Sequence, residues 1–239
     1  MENTQIVYWS HLASEYKHPT INLLQNVPKK LLQNLAKNKH SFTRAYTNCI
    51  ALHNQMSNTF YVEFPFDIDI EIEDKNNING NKSDWFNRNQ VDHFVNRQTA
   101  DLDMGWFFYS PEPLELEILP PFAHKTEASK YGVVAHGSFD IGQWFRPIKA
   151  THILWEGINK FKAKENDPIL YAKFHSKKQI ILKQFIPTDK LLSYADACAN
   201  YSDVKYFKIS LKKRYDQFKI ANMQKLILKE IQNNLVDDE

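Results

Sequence analysis

The chain has 239 residues, 43% hydrophobic and 24% charged, with a formal net charge of +2. That balance is globular, and 16 Phe, 11 Tyr and 5 Trp require a core, which excludes disorder, collagen and coiled coil. Six glycines count against Gly-rich phosphate-binding folds, and a charge this near zero gives no global pull toward nucleic acid or a membrane surface.

No window approaches the roughly 18 uninterrupted apolar residues of a membrane-spanning helix. The first twenty residues show no basic run followed by an apolar one, so no signal peptide is expected. Two cysteines far apart, Cys49 and Cys198, fit a reducing cytosol.

Residues 1–57 read as a helical and irregular segment packed on the core. Within it, 28–37 predicts a short helix with Pro28 in its first turn and Leu31, Leu32 and Leu35 on its apolar side. A β core is expected over 58–186. Asn58–Phe64 is its first strand. Asp67–Glu73 alternates without a fault, which puts Ile68, Ile70 and Ile72 on the core face and carboxylates on the other. Lys75–Asp84 is an Asn-rich loop with the turn signal Asn79-Gly80, expected to cap a hairpin or to carry an excursion over the surface. Trp106-Phe107-Phe108-Tyr109 is an aromatic strand whose period of two sends two rings to each face, so either both faces are covered, with the terminal helices as one cover, or a wall is exposed to a ligand or partner; the covered reading is preferred. Further strands are expected at Leu114–Ile118, Gly132–Ala135, Gln143–Phe145, Ala150–Trp155, Ile169–His175 and Gln179–Phe185. This spacing suits an antiparallel sandwich or barrel.

Residues 187–239 turn helical. One helix starts after Pro187 with Thr188 or Asp189 as its N-cap. A long helix is expected from about Ser210 to Leu235, with Ile220, Met223, Ile227, Ile231 and Leu235 on one stripe.

Charge is unevenly placed. Glu63–Asp74 holds six carboxylates and no base, while Lys205–Lys229 holds seven Lys and one Arg against Asp216 alone. The plain reading is two solvated faces; the sharper one is that they meet, within the chain or between copies. Lys212, Lys213, Arg214 and Lys219 are the candidate partner-binding residues. Nucleic acid ranks last among partners, because the basic segment lacks an aromatic RNA-binding motif, a zinc finger or a zipper. If the acidic strands 67–73 and 114–118 paired, like charges would stand about 5 Å apart across the ladder, which calcium, lysines from the basic helix or plain solvent could each resolve, with solvent the default.

None of the nine histidines is followed two residues later by Asp, Glu or His, which removes the entry motif of the 2-His-1-carboxylate iron enzymes. HExxH, a Walker loop, GxSxG, CxxC and GxGxxG are absent too. The best remaining metal set is His124, His136, Asp140 and His152, with Glu156 nearby. Three such ligands within about 2.0–2.2 Å would hold zinc or iron. Arg146, flanked by Phe145 and Pro147, has the shape to clamp a carboxylate or phosphate, and with Trp144 and Trp155 it forms the candidate ligand set.

Two resemblances add to this. Asn58–Asp67 (NTFYVEFPFD), Leu119-Pro120-Pro121-Phe122, Gly142–Pro147 (GQWFRP), Trp155-Glu156-Gly157, Asp167–Tyr171 and Ser210–Asp216 together resemble, in order over most of the chain, a family of tailed phages of marine bacteria. That family has no assigned activity, so the resemblance implies an origin, a phage-encoded protein made in a bacterial cytoplasm, and no reaction. Gly132–Phe174 is also similar to the end of the deoxyuridine-triphosphatase β core. Ala135 stands where that family's catalytic Asp would be, so what carries over is a compact β topology and not the hydrolysis.

The expected fold is therefore α+β: a mainly antiparallel β-sandwich, jelly-roll-like, or a barrel, with N-terminal helical segments and two C-terminal helices, all in one domain. The leading functional expectation is a non-enzymatic phage accessory or structural protein, in the host cytoplasm or the virion. It would act by binding another phage or host protein or by self-association, without a cofactor and away from membranes. The alternatives are an enzyme in a cupin-like barrel using a divalent transition metal, and a basic-helix binder of a host factor or nucleic acid.

Overall fold

The structure, a computed structural model, describes residues 3–11, 27–37, 49–74, 77–81, 93–94, 97–199 and 211–236. In chain order its first strands are β1 (Thr4–His11), β2 (Lys29–Lys30), β3 (Thr59–Glu63), β4 (Ile68–Asp74), β5 (Asn77–Asn81), β6 (His93–Phe94) and β7 (Arg97–Tyr109). They are followed by β8 (Glu115–Leu119), β9 (Gly132–Val134), β10 (Gly137–Asp140), β11 (Ile148–Leu154), β12 (Lys160–Ala163), β13 (Pro168–Phe174) and β14 (Gln179–Gln184). The helices are α1 (Leu31–Lys37), α2 (Ile50–Met56), α3 (Asp189–Ala199), α4 (Leu211–Ile220) and α5 (Met223–Gln232).

The strands form three sheets. The first runs β14-β1-β7-β11-β9, with β6 also beside β7; the second runs β10-β8-β13-β3-β2; the third is β12-β4-β5. Among the described strands only β1 and β14 pair in parallel. The first two sheets share one core, where Val7, Leu102, Trp106 and Phe108 meet Phe60, Leu116, Leu170 and Phe174. Ile68, Ile70 and Ile72 of β4 join it, as their alternation predicts. The fold is the expected mixed α+β class, and its sheets stay open at their edges rather than closing into a barrel.

Both faces of the aromatic run are covered. Trp106 and Phe108 enter the sandwich core, while Phe107 and Tyr109 enter a second core under the C-terminal helices. There Phe107 stacks on Phe145 with centroids 5.0 Å apart, Tyr109 meets the same ring edge-on at 5.3 Å, and Leu191, Ile227 and Ile231 close over them. On the far side, Leu31 and Leu35 of α1 and Met56 of α2 cover Tyr61, Leu119 and Tyr171. The layers are thus helix, sheet, sheet, helix. Thr188 caps α3, its hydroxyl accepting from the Leu191 N–H at 3.3 Å. Neither Cys49 nor Cys198 is in a disulfide among the described residues, and no described helix is long and apolar enough to cross a membrane.

Four local expectations need correction. First, the N-terminal segment contains a strand, β1, at the heart of the first sheet. Val7 and Trp9 face one core and Tyr8 the other, so burial on both sides erases the alternation that marks a strand. Second, Gln143–Phe145 is a turn and coil rather than a strand, although Trp144 and Phe145 are buried. The chain passes so close there that a Cβ on Gly142 would lie 2.4 Å from the Glu112 carbonyl oxygen. Third, Asn79-Gly80 lies within β5 and not at its turn. Gly80 stands opposite Ile70 at φ +120°, three positions beyond the Asp74–Asn77 pair that begins the ladder. Fourth, the long helix is broken at Asn222, whose φ of 52° is left-handed. Ile227 and Ile231 are buried, but Ile220 is 84% exposed and off the stripe.

The acidic strands do not pair with each other. β4 lies between β12 and β5, and β8 between β10 and β13. Asp69 meets Lys162 at 2.5 Å and Glu63 meets Lys29 at 2.6 Å, so the acidic run finds counter-charges on neighbouring strands.

Two substitutions test this packing. Phe107→Ala is expected to cost about 3–5 kcal/mol in urea denaturation, whereas Ile220→Ala stays within about 0.5 kcal/mol. The Tyr109 hydroxyl is buried without a hydrogen-bond partner among the described residues. Tyr109→Phe is therefore expected to leave stability unchanged or raise it by up to about 1 kcal/mol; a loss larger than that contradicts the placement of this hydroxyl.

Candidate functional site

The segment after β8 is built by prolines. Pro120 and Pro121 have no N–H to extend a ladder, so the chain leaves the sheet. It turns tightly, with the Phe122 N–H donating to the Pro120 carbonyl at 2.7 Å and the His124 N–H to that of Pro121 at 3.0 Å. A second turn follows, in which Thr126 Oγ1 accepts from the Ser129 N–H at 3.3 Å and Ser129 Oγ donates to the Thr126 carbonyl at 2.7 Å. The chain then enters β9, which fits so tightly on β11 that a Cβ on Gly132 would meet the Ile153 carbonyl oxygen at 2.5 Å.

Between this loop, β9, β11 and the start of β13 lies a cleft of about 250 Å³. The loop contributes Pro120, Pro121 and Phe122; β9 contributes Val133 and Val134; β13 contributes Pro168 and Ile169. The polar lining is two imidazoles, His124 and His152, and two hydroxyls, Thr126 and Ser129. Phe122 is 47% exposed and Trp155 40% exposed, and the Trp155 indole N–H donates to the Ser129 carbonyl at 3.3 Å.

Both imidazoles are driven neutral. Burial lowers the pKa of His152 to about 4, against a hydrogen bond to the Ala150 carbonyl. Its ring packs edge-on against Phe161 at 4.8 Å. Burial also lowers the pKa of His124, outweighing the Glu63 and Asp167 charges. His124 Nδ1 is hydrogen-bonded to the Tyr171 hydroxyl. Burial raises the Tyr171 phenol well above its ordinary value and that of Tyr61 to about 12, so both stay protonated at neutral pH. The cleft is thus an uncharged, largely apolar space with hydrogen-bonding groups held in place.

The residues expected to hold a metal fall in three separate surroundings. His124 and His152 line the cleft. His136 is on the surface, its Nε2 2.7 Å from Glu117 Oε1, while His175 Nε2 lies 2.9 Å from the other oxygen of that carboxylate. Burial pushes the Glu117 carboxyl up, but hydrogen bonds from the two imidazoles outweigh it and hold it below its ordinary range. Asp140 is already engaged, its Oδ1 accepting from the Leu114 N–H at 3.0 Å and the Gly142 N–H at 2.8 Å and its Oδ2 from the Gln143 side-chain amide at 2.6 Å. Among the described residues no three His, Cys, Asp or Glu side chains gather into a metal-holding group. The sequence spacing overlooked that each of these four already has a local partner.

The candidate ligand set also separates. Trp144 is buried against Tyr215 with ring centroids 4.6 Å apart, Arg146 is exposed, and Trp155 alone stands beside the cleft. Of the candidate partner-binding residues, Lys213 and Lys219 are exposed on α4; the side chains of Lys212 and Arg214 lie outside the described ones. Sequence reasoning missed Phe122, Thr126, Ser129 and Tyr171. The signal for the first was present: an aromatic directly after two prolines, where no strand can bury it.

No protein-family model matches the chain, and no curated protein matches it.

The buried imidazole sets a pH dependence. The unfolded chain protonates His152 near its ordinary value of about 6.5, and the folded one only near about 4. Between these values the unfolded state binds more protons, so stability is full above the upper pH and is lost as pH falls toward the lower, by on the order of 3 kcal/mol. Urea denaturation across this range should show a flatter profile for His152→Leu than for the parent chain. Parallel profiles would mean that His152 does not couple folding to pH.

Proposed function

We propose that this is a phage-encoded accessory or structural protein of the bacterial cytoplasm that works by binding, and that the cleft beside Phe122 is its recognition site. The observation that carries the reading is the pairing of an uncharged, proline-walled cleft with two large aromatics left in water beside it. Phe122 and Trp155 keep apolar surface exposed next to a concavity, which marks a contact surface rather than a random exposed residue. The polar groups that line the cleft are engaged in holding it: His124 with Tyr171, His152 with the Ala150 carbonyl, and Thr126 with Ser129. A lining of this kind selects by fit. Its ligand carries no formal charge and offers a ring or another flat apolar body to the aromatics.

The reading is tested by titrating the protein with three uncharged ring probes, indole, adenosine and methyl glucoside, and following the Trp155 indole and Gly132 amide signals by NMR. At least one probe is expected to give a saturable shift, weakened about tenfold or more in Phe122→Ala, a loss of about 1.4 kcal/mol. No saturable shift with any of the three, or the same affinity in the variant, overturns it.

A further inference from the structure

We infer that the open mouth of the sandwich between β2 and β14 is a second binding site, which takes a phosphate-bearing small molecule with an apolar body. β2 is the edge of the second sheet and β14 the edge of the first. No described strand joins these two edges, and the gap is a groove of about 430 Å³. Its apolar lining is Phe60, Ile181 and Leu182, with Ile181 39% exposed.

The polar side of the groove comes from one helix face. Lys30, Gln33, Asn34 and Lys37 follow the spacing i, i+3, i+4, i+7, which stacks them along a single stripe of α1 and the residue before it. Leu31 and Leu35 take the other face and bury it against Tyr61 and Tyr171. The register that anchors the helix therefore presents two ammonium groups and two carboxamides to the groove. Lys29 adds a third ammonium but is already paired with Glu63 at 2.6 Å. Among the described residues no carboxylate lines the groove.

Lys30 is the informative member. It is half-buried, and its Nζ sits 5.9 Å from the centroid of the Phe60 ring. Among the described residues neither Lys30 nor Lys37 forms an ion pair. With its Nζ near the Phe60 ring and no carboxylate paired to it among the described residues, this ammonium is open to an anion. An ammonium is a compact point charge that suits a phosphoryl group, and carboxamide N–H groups supply the further donors its oxygens need. The exposed aliphatic lining on β14 adds a requirement that inorganic phosphate cannot meet: the anion must carry an apolar body to cover Ile181.

Calorimetric titration with phenyl phosphate, inorganic phosphate and phenol tests each part. Phenyl phosphate is expected to bind at least tenfold more tightly than inorganic phosphate, phenol not to bind, and affinity to fall as salt is raised. The double variant Lys30→Gln/Lys37→Gln should lose tenfold or more in phenyl phosphate affinity. In the parent protein, the side-chain amide signals of Gln33 and Asn34 should move on titration, which locates the site even if the variant folds poorly. Equal affinity for the two phosphates, no saturable binding by either, unchanged binding in a folded variant, or titration that leaves the Gln33 and Asn34 amides in place would each overturn the proposal. The outcome is independent of the cleft beside Phe122.

Discussion

Four consecutive rings, Trp106 to Tyr109, leave β7 alternately into two different cores, and none has more than 3% of its surface in water. A strand buried on both faces needs a cover on each side. The second sheet supplies one. The other comes from α3, α4 and α5, which are held to the first sheet by Leu191, Phe218, Ile227 and Ile231. β1 has the same character, since it lies beside β7 and shares its two environments through Val7, Tyr8 and Trp9. At roughly 1.5–3 kcal/mol for each fully buried large apolar side chain, this two-stranded spine is a major share of the favourable burial. The C-terminal helices are thus part of the sandwich's stability rather than an appendage to it.

This arrangement explains which parts of the fold were legible in the sequence. Strands with one face on the core and one in water, such as β4 with its three isoleucines and intervening carboxylates, read directly from alternation. The aromatic run read correctly as needing two covers. β1 did not read at all, because Ile6–Trp9 is an unbroken apolar run with no polar position inside it to mark a period. The helix over 210–235 was legible in its buried residues, Ile227 and Ile231, but not in its continuity. Nothing in the local pattern announces that Asn222 adopts a left-handed conformation and turns Ile220 outward. The candidate site was less legible. Histidine spacing proposed a metal set, and the local environment undid it, since a carboxylate, a phenol, a backbone carbonyl and backbone N–H groups had already claimed its four members.

The two concavities differ in their electrostatics for structural reasons. The cleft beside Phe122 is framed by prolines and by strands of both sheets, and burial there drives its imidazoles neutral. The groove at β2 is framed by a helix whose exposed stripe is cationic, and it lies where the sheets end without closing. Both lie at the margins of the sheets, the groove against the edge strands β2 and β14 and the cleft against the edge strand β9. A rigid two-sheet framework with binding surfaces at its margins is the usual division between stability and recognition. The net charge of +2 conceals such local differences, because 30 Lys and Arg stand against 28 Asp and Glu that are grouped in separate runs.

The claim on which the rest stands is that β7 and β1 form the most protected part of the molecule. Native-state hydrogen exchange, read residue by residue, tests it most directly. The account predicts that the amides of Trp106–Tyr109 and of Tyr8–His11 opposite them exchange only through global unfolding, more slowly than those of Asp69–Ile72 in the three-stranded sheet. Exchange at Trp106–Tyr109 as fast as at Asp69–Ile72 would contradict it.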